Sequence, residues 1–376
     1  MRATRAIIRL DRFEHNIAQI RRAVRRADGT SPLICLAVKA DAYGHGIVPI
    51  GLAAAGSGVD YLAVATVDEG VELRAAGSTL PILLYGIPVP EEIAAVVAHR
   101  LTPMVSDAEQ IELFNAEATT QRTLLPVHLK IDTGMGRVGC RPDDGSRLAG
   151  MVRASGSLAL GGVCTHFAAS DSDDPAYTAG QIAAFEQALS RMKAEGIDPG
   201  IVHAANSGGV LGHPASWYDM VRPGILAYGY YPSDCQERLH TVLPVMELRS
   251  SVVFIKEVER GDAISYGMTW RAPHRTHIGT IPVGYGDGYN RLLSNRGHVS
   301  IHGTRYPVVG RVCMDQLMVD LGAECTVRRY DEAKLFGYGD GVPSAEDIAG
   351  ICGTIAYEVT CAISRRVPRV YADRDP

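Results

Sequence analysis

The stretch LICLAVKADAYGHG, residues 33–46, decides the fold. Its first six residues are all apolar, which is typical of a strand buried on both faces of a parallel sheet. The run then ends directly in Lys39 and continues into a segment with two glycines. A charged residue that closes a buried strand needs a physical reason, because lysine is almost never fully buried without a partner.

Similar apolar runs recur through the first 230 residues or so, and helix-like segments separate them. We count about eight such βα repeats, which predicts a (β/α)8 barrel of the TIM type. The predicted strand segments are LICLAVK (33–39), YLAVAT (61–66), PILLYG (81–86), LTPMV (101–105), PVHLKID (126–132), LALGGVCTHF (158–167), IVHAANS (201–207) and YDMVRPG (218–224).

Beyond Pro232 the pattern changes to strand-like segments separated by Gly, Asn and Pro turns, which predicts a mainly β domain. We therefore expect an α/β fold with a barrel domain at residues 1–238 and a β domain at residues 239–376. The first strand, near the N-terminus, is also a candidate to pair with the second domain. After it, Asp11 is predicted to cap a helix whose apolar stripe comprises Leu10, Phe13, Ile17, Ile20 and Val24.

Composition excludes several classes of function. Asp and Glu (42) outnumber Lys and Arg (37), for a net charge of −5, so no nucleic-acid partner is expected. No apolar run approaches the length of a membrane span, and the N-terminus lacks the apolar core of a signal peptide, so we predict a cytoplasmic protein. The eight cysteines show no CxxC spacing, which indicates neither a disulfide framework nor a metal site.

In a barrel of this type the chemistry lies at the carboxyl ends of the strands. The residues that close the predicted strands are therefore candidates for an active site. Each one alone has an ordinary structural explanation, but together they converge on one rim. They are Lys39, Lys130, Asp132, His166, Asn206, Ser207 and Arg222.

Small residues follow the seventh and eighth barrel strands, in NSGG (206–209) and RPGI (222–225). The loops after these strands are the habitual phosphate site of the barrel, so a phosphorylated ligand is expected. A lysine on the first strand together with a phosphate site suggests a Schiff-base cofactor with a phosphate handle, namely pyridoxal 5'-phosphate.

Eight motifs, in order, closely resemble those of the alanine racemases, which are pyridoxal phosphate enzymes of fold type III. The resemblance covers nearly the whole chain and implies interconversion of L- and D-alanine. The motifs are AVKADAYGHG, KIDTGMGRVG, THFAASD, NSGG, RPGI, ISYGMTW, PVGYGDGY and RVCMDQLMVDL.

The resemblance implies a role for each matching residue. Lys39 would hold the cofactor and act as acid or base on the D face of the substrate, and Tyr266 would do the same on the L face. Racemisation needs such a pair, because the proton on Cα leaves one side of a planar carbon and returns on the other. Arg137 and the Met314 backbone N–H would bind the substrate carboxylate.

The remaining implied roles concern the cofactor and the entrance. Arg222 would face the pyridine nitrogen, with His166 behind it, and Tyr285 and Asp315 would lie at the entrance. Lys130 resembles a lysine that is often carbamylated, although an ordinary lysine paired with Asp132 is the alternative. The set implied for binding the cofactor phosphate is Tyr43, Asn206, Ser207, Gly224, Ile225 and Tyr357.

The resemblance also implies a homodimer in which the barrel of one chain is completed by the β domain of the other. Three other functions remain open: an amino-acid decarboxylase of the same fold, a non-catalytic pyridoxal phosphate carrier and a Schiff-base aldolase. The SYG and CMDQ motifs argue against the decarboxylase, which needs no tyrosine base. Cys313 is interpreted as a packed thiol, because no histidine-based activation is nearby in the motif.

Overall fold

The computed structural model describes residues 2–233 and 241–373. The chain divides into two compact units. The barrel unit comprises Glu14–Ala42 and Ile47–Val242, and the second unit comprises Met1–Phe13, Tyr43–Gly46 and Leu243–Pro376. The domain boundary expected between residues 238 and 239 lies outside the described residues.

After β1 (Arg5–Arg9), parallel strands close into the predicted barrel, so the fold class is confirmed. The first and last barrel strands pair in parallel, with Leu33 opposite Met220 and Ile34 opposite Val221, which completes the ring. The barrel strands are β2 (Leu33–Ala37), β3 (Tyr61–Val64), β4 (Ile82–Leu84), β5 (Leu101–Val105), β6 (Leu125–Lys130), β7 (Leu158–Cys164), β8 (Ile201–His203) and β9 (Met220–Val221).

The first helix begins earlier than the sequence indicates. Helix α1 starts at Leu10 and ends at Ala23, so Asp11 lies inside its first turn, where its carboxylate accepts hydrogen bonds from Arg9. Every residue of the predicted apolar stripe except Leu10 is buried. Among the described residues of the barrel unit, the other α-helices are α2 (Ile47–Gly56), α3 (Val67–Ala75), α4 (Ile93–Ala98), α5 (Ala108–Thr120), α6 (Gly145–Ala154), α7 (Ala176–Ala194) and α8 (Ser207–Gly212).

Local sequence explains where several of these helices begin. Thr66 and Glu69 form a reciprocal capping box at α3, and the Asp107 carboxylate accepts from the Gln110 amide at α5. Such caps satisfy amide groups that otherwise lack partners in the first turn. Among the described residues, no helix combines the length and the apolar character needed to cross a membrane.

The second unit is built on a mixed six-stranded sheet, whose order is β16 (Thr304–Pro307), β15 (His298–Ile301), β18 (Glu332–Phe336), β10 (Met246–Ser251), β1 and β19 (Arg369–Ala372). β1 pairs antiparallel with β10 and parallel with β19, so the first strand belongs to this sheet. The remaining elements are β11 (Phe254–Val258), β12 (Ala263–Ile264), β13 (Trp270–Arg271), β14 (Thr276–Ile281), β17 (Leu317–Gly322), α9 (Ala345–Cys352) and α10 (Ala356–Cys361).

A buried ion network lies beside β10 of this sheet. Glu247 is 1% exposed and accepts from Arg12 over 2.8 Å and from Arg249 over 2.7 Å. Both guanidinium groups are themselves largely buried. A carboxylate in such a place is tolerated because two cations and good hydrogen-bond geometry offset its lost hydration.

Candidate active site

The segment that follows β2 turns in an uncommon direction. Ala40, Asp41 and Ala42 have φ angles of 53°, 55° and 52°, in the left-handed region. Non-glycine residues in this region cost roughly 1–2 kcal/mol each, so their surroundings must hold them there. The Ala40 amide donates to Glu69 Oε1 over 2.6 Å, and the Ile47 amide donates to Asp41 Oδ1 over 2.8 Å. The chain is therefore fixed in a left-handed turn at the barrel rim.

This turn accounts for the lysine that follows a buried strand. Lys39 lies just beyond β2, at the carboxyl end of the barrel, and is half-buried. Its ammonium group lies 6.0 Å from the centroid of the Tyr85 ring. The aliphatic stem of a lysine can be covered while its amine stays accessible. The geometry thus presents an amine at the barrel mouth.

The other predicted strand-end residues lie at the same end of the barrel, because all eight strands are parallel. Lys130 is the last residue of β6, and Arg222 directly follows β9. His166 lies just beyond β7, and Asn206 and Ser207 lie just beyond β8. The barrel unit therefore brings these side chains to one rim.

Arg222 is buried and held from several sides. Its Nη1 donates to His203 Nδ1 over 2.7 Å, and its Nη2 donates to the Thr165 and Ala204 carbonyls over 2.7 and 2.9 Å. His166 Nδ1 lies 3.2 Å from the same Nη2. Since arginine only donates hydrogen bonds, the acceptors fix the plane of its guanidinium.

A histidine pair behind Arg222 was not identified from the sequence. His203 Nε2 lies 2.7 Å from His128 Nδ1. Because Nδ1 of His203 accepts from Arg222, its proton is on Nε2, which donates to Nδ1 of His128. The β7 glycines make room for this pair, since a Cβ at Gly162 would lie 2.8 Å from the His128 ring. The signal was the position of His128 two residues before Lys130, on the same face of β6.

Both histidines are expected to make stability depend on pH. Burial, with the Arg222 charge second, lowers the pKa of His128 from 6.5 to about 4 and the pKa of His203 well below 6.5. As pH falls below 6.5, the unfolded chain takes up protons that the folded chain refuses, so stability present above pH 6.5 is lost on acidification. For His128 this loss continues to about pH 4 and is on the order of 3 kcal/mol.

Urea unfolding at a series of pH values measures this effect. We expect His128→Gln, which can still accept from His203, to show a shallower loss of stability between pH 6.5 and 4. His274, an exposed histidine, provides the control substitution His274→Gln. Equal pH slopes for all three proteins would contradict the neutral buried pair.

Lys130 is 7% exposed, and burial lowers the pKa of its amine to about 8. Among the described residues it has no ion-pair partner within 4.0 Å. Cys164, Arg222, Asp132 and Arg137 contribute to its electrostatic surroundings. At pH 7 about a tenth of this amine is therefore uncharged, far more than for a lysine with the ordinary pKa.

Asp132 is engaged with the backbone that follows it. Its carboxylate accepts from the amides of Gly134, Met135 and Gly136 over 2.9 to 3.1 Å. These backbone hydrogen bonds hold the pKa of Asp132 below its usual value despite the opposing effect of burial. The resulting tight loop leads directly to the exposed side chain of Arg137.

The loops after β8 and β9 are tied together by Ser207. Its hydroxyl oxygen accepts from the Gly224 and Leu226 amides over 3.0 and 3.4 Å. The Asn206 carboxamide oxygen accepts from the Gly209 amide and the Ser170 hydroxyl. Since the Ser207 oxygen is occupied as an acceptor, its hydrogen remains to be donated. The arrangement suits an anionic ligand at this rim.

The second unit holds the expected site tyrosines in two places. The rings of Tyr43 and Tyr357 lie 5.9 Å apart, and burial raises the pKa of Tyr43, so its phenol stays a donor. The adjoining Gly44 packs on α10, where a Cβ would lie 2.2 Å from the Thr360 carbonyl oxygen. The close approach and its φ of 84° both require glycine at this position.

Tyr266 is 70% exposed and lies in a loop with uncommon backbone angles. Ser265, Gly267 and Met268 have φ angles of 66°, 70° and 50°. The Ser265 hydroxyl donates to the Arg311 carbonyl over 2.6 Å and lies 3.5 Å from the Cys313 sulfur. These contacts connect the Tyr266 loop to the segment that precedes Met314.

A third loop, which carries Tyr285, is hydrogen-bonded to the same segment around Met314. The Tyr285 amide donates to the Cys313 carbonyl over 3.0 Å, and the Gly286 amide donates to the Met314 carbonyl over 2.9 Å. Asp315 follows directly and is 60% exposed at its side chain. The second unit therefore brings Tyr266, Tyr285, Met314 and Asp315 together on linked loops.

A parallel (β/α)8 barrel with lysine and arginine at its carboxyl rim, followed by a mainly β unit with an exposed tyrosine loop, defines a two-domain barrel enzyme. Family models agree in both parts of the chain. Residues 8–232 match the alanine racemase N-terminal domain, and residues 245–371 match the alanine racemase C-terminal domain. The chain belongs to the alanine racemase family.

Individual relatives match over their full lengths. The alanine racemase of Treponema denticola is 46% identical over 99% of both chains, and that of Desulfovibrio desulfuricans is 42% identical over 98% of both. Among solved structures, alanine racemase of Clostridium difficile 630 has a TM-score of 0.93 at 38% identity, covering 99% of this chain and 96% of its own. The biosynthetic alanine racemase of Pseudomonas aeruginosa has a TM-score of 0.87 at 33% identity, covering 99% and 100%.

Proposed function

We propose that this chain interconverts L-alanine and D-alanine. The observation that carries the proposal is the placement of Lys39, Arg222 and Ser207 at one barrel rim in a chain of the alanine racemase family. Racemisation of an unactivated amino acid needs an electron sink and two proton-transferring groups. We assign the sink to pyridoxal 5'-phosphate and the two groups to Lys39 and Tyr266.

The residues at the barrel rim fit this cofactor. Lys39, a half-buried residue at the rim, provides the amine for covalent attachment, and Ser207, with a hydroxyl hydrogen left to donate, suits the phosphate. Arg222 keeps its Nε–H and one Nη1–H without an acceptor among the described side chains and backbone, so it can donate to the pyridine nitrogen. The remaining binding residues we assign are Tyr43, His166, Asn206, Gly224, Ile225 and Tyr357.

When bound, the cofactor supplies an electron-withdrawing ring that acidifies the Cα–H bond of the attached amino acid. This chain's residues handle the proton. The Tyr266 phenol oxygen exchanges it on the L face and the Lys39 amine on the D face, while Arg137 and the Met314 N–H bind the carboxylate. Arg222 keeps its charge and donates a hydrogen bond to the ring nitrogen without giving up a proton. The electron-withdrawing strength of the ring therefore stays moderate.

We also propose that the active form is a cytoplasmic homodimer with shared active sites, each formed by the barrel of one chain and the second unit of the other. Large side chains on the linked loops of the second unit support this assembly. Tyr266, Met268 and Met314 are 70%, 61% and 51% exposed. On a folded protein, exposed apolar side chains that cluster together mark sites of interaction with a partner. Tyr285 and Asp315, on the same loops, are assigned to the entrance.

Lys130 is proposed to be carbamylated. Its uncharged amine attacks CO2, forming an N–C bond and releasing one proton, and the lowered pKa of about 8 provides that uncharged amine. The product is an anion suited to orient Arg137, whose charge contributes to the surroundings of Lys130. The ordinary lysine paired with Asp132 is less well supported, since that carboxylate is occupied by backbone amides.

Carbon-13 NMR of protein equilibrated with labelled bicarbonate measures the carbamate. We expect one protected carbamate resonance in the native protein, its absence in Lys130→Ala, and its retention in Lys193→Ala, which removes an exposed lysine. Activity of Lys130→Ala is expected to fall about tenfold and to recover partly with added chloride, since an anion beside Arg137 then takes the place of the carbamate. A native spectrum without the resonance would remove this assignment.

Chiral analysis of alanine after incubation with the cofactor-loaded protein tests the function. Each pure enantiomer is expected to approach an equal mixture of both. A decarboxylase would instead release CO2 and ethylamine, and a cofactor carrier would leave both enantiomers unchanged. Either of those results refutes the racemase.

A further inference from the structure

Arg366 connects two of the loops in the second unit. Its Nη2 donates to Asp315 Oδ1 over 2.6 Å, and its Nε lies 3.5 Å from Asp287 Oδ1. The guanidinium also covers Gly286, since a Cβ there would lie 2.4 Å from Nη1. Met314 directly precedes Asp315, and its carbonyl accepts a hydrogen bond from the Gly286 amide. Arg366 therefore contacts both Asp315, which directly follows Met314, and the Gly286–Asp287 segment, to which the Met314 carbonyl is hydrogen-bonded.

At one end of this connection Arg366 meets a buried carboxylate, that of Asp287. Asp287 is fully buried, and its Oδ2 accepts from the Gly284 amide over 3.1 Å. Arg2 Nη1 lies 2.7 Å from Asp287 Oδ1 and donates to the Arg366 carbonyl over 3.0 Å. A buried carboxylate is retained only with paired cations, so Asp287 holds both arginines in place. Asp287 is itself the last residue of the Tyr285 turn, Tyr285–Asp287.

The ion pair between Arg366 and Asp315 contributes little to the stability of the fold. The Arg366 and Asp315 side chains are 46% and 60% exposed, and ion pairs between exposed groups contribute little to folding. Arg2 also remains beside Asp287 if the Arg366 side chain is removed. The contact instead restricts where Asp315, and the peptide unit of Met314 before it, can lie.

We propose that Arg366 is a positioning residue for substrate binding: it locks the Met314–Asp315 segment against the Tyr285 loop so that the Met314 N–H faces the substrate carboxylate. This inference rests on the proposed function. It predicts a defect specific to ligands with a carboxylate. A ligand bound through its amine alone should be unaffected.

The test compares Arg366→Ala, Arg366→Lys and the control Arg365→Ala, whose exposed side chain has no partner among the described residues. For Arg366→Ala we expect the KM for L-alanine and the inhibition constant of acetate to rise about tenfold. The affinity for ethylamine and the cofactor loading should stay at wild-type values, and the melting temperature should fall only slightly, because Arg2 still pairs with Asp287. Arg366→Lys should recover part of the loss, and Arg365→Ala should match wild type.

Two results would overturn the proposal. If Arg366→Ala and Arg365→Ala bind acetate equally well, Arg366 does not position the carboxylate site. If acetate, ethylamine and cofactor all weaken together with the melting temperature, its role is structural. Acetate binding is measured directly by titration, so the comparison still decides the role of Arg366 if the wild-type protein fails to racemise alanine and the proposed function itself is wrong.

Discussion

Lys39→Ala is expected to lose the covalent attachment of pyridoxal phosphate and at least about a thousandfold of the racemase rate. The reason is that Lys39 both anchors the cofactor and exchanges the proton on one face of the substrate. Borohydride reduction followed by peptide mapping measures the attachment. The wild-type protein should carry the reduced cofactor on the peptide that contains Lys39, and Lys39→Ala should carry none.

Lys193→Ala is the matched control, because Lys193 is exposed at the end of α7 and should be dispensable. The most informative contrary result would be a reduced cofactor on Lys130. That residue also closes a barrel strand and has an amine with a lowered pKa of about 8, so it is the chemically plausible competitor.

Tyr266→Phe is expected to slow racemisation by about a thousandfold while leaving the cofactor bound. The substitution removes only the phenolic oxygen that exchanges the proton on the L face. Because the Tyr266 side chain is 70% exposed, loss of its hydroxyl should not destabilise the fold. Cofactor absorbance and the melting temperature check that the defect is chemical. Tyr330→Phe, at another tyrosine that is 70% exposed, is the control.

Mixed dimers extend this prediction to the shared site. Lys39→Ala and Tyr266→Phe chains are each inactive, but a heterodimer of the two contains one site with both native residues. Co-refolded mixtures should therefore regain up to about half of the wild-type activity per heterodimer, provided that the two sites act independently. No recovery in heterodimers verified by mass would show that Lys39 and Tyr266 act within one chain.

Much of the barrel could be predicted because the apolar character of its strands is visible within short stretches of sequence. A strand buried on both faces must be apolar throughout, so segments such as β2 and β6 are visible in the sequence. The rim residues were predictable for a related reason. In a parallel barrel the residue after each apolar run lies at the same end, so the sequence alone predicts that Lys39, Lys130 and Arg222 share one rim.

Other features depend on contacts that the sequence does not display. Ala40, Asp41 and Ala42 carry no glycine signal for their left-handed turn, which is imposed by distant partners such as Glu69. The sequence makes β1 a candidate to pair with the second domain, but it does not indicate that the partner is β10, more than two hundred residues later. Pairing partners at such separations follow from the assembled sheet and not from local pattern.

The histidine pair and the Arg366 connection were missed for the same reason. His128 and His203 each look like a single polar residue within a short strand, and only the closed barrel places their rings 2.7 Å apart at the nearest nitrogens. Arg366 meets Asp287 and Asp315 across 79 and 51 positions of the chain. Tertiary structure alone creates these contacts.

Racemisation in D2O tests the two-base account most directly. Starting from unlabelled L-alanine, the wild-type protein should form D-alanine that carries deuterium at Cα, and the reverse reaction should label L-alanine. Tyr266→Phe should still exchange the α-hydrogen of D-alanine through Lys39, while exchange into L-alanine is lost. If Tyr266→Phe instead exchanges both enantiomers at wild-type rates, or if the wild-type protein inverts neither, then Lys39 and Tyr266 are not the two acid–base residues of an alanine racemase.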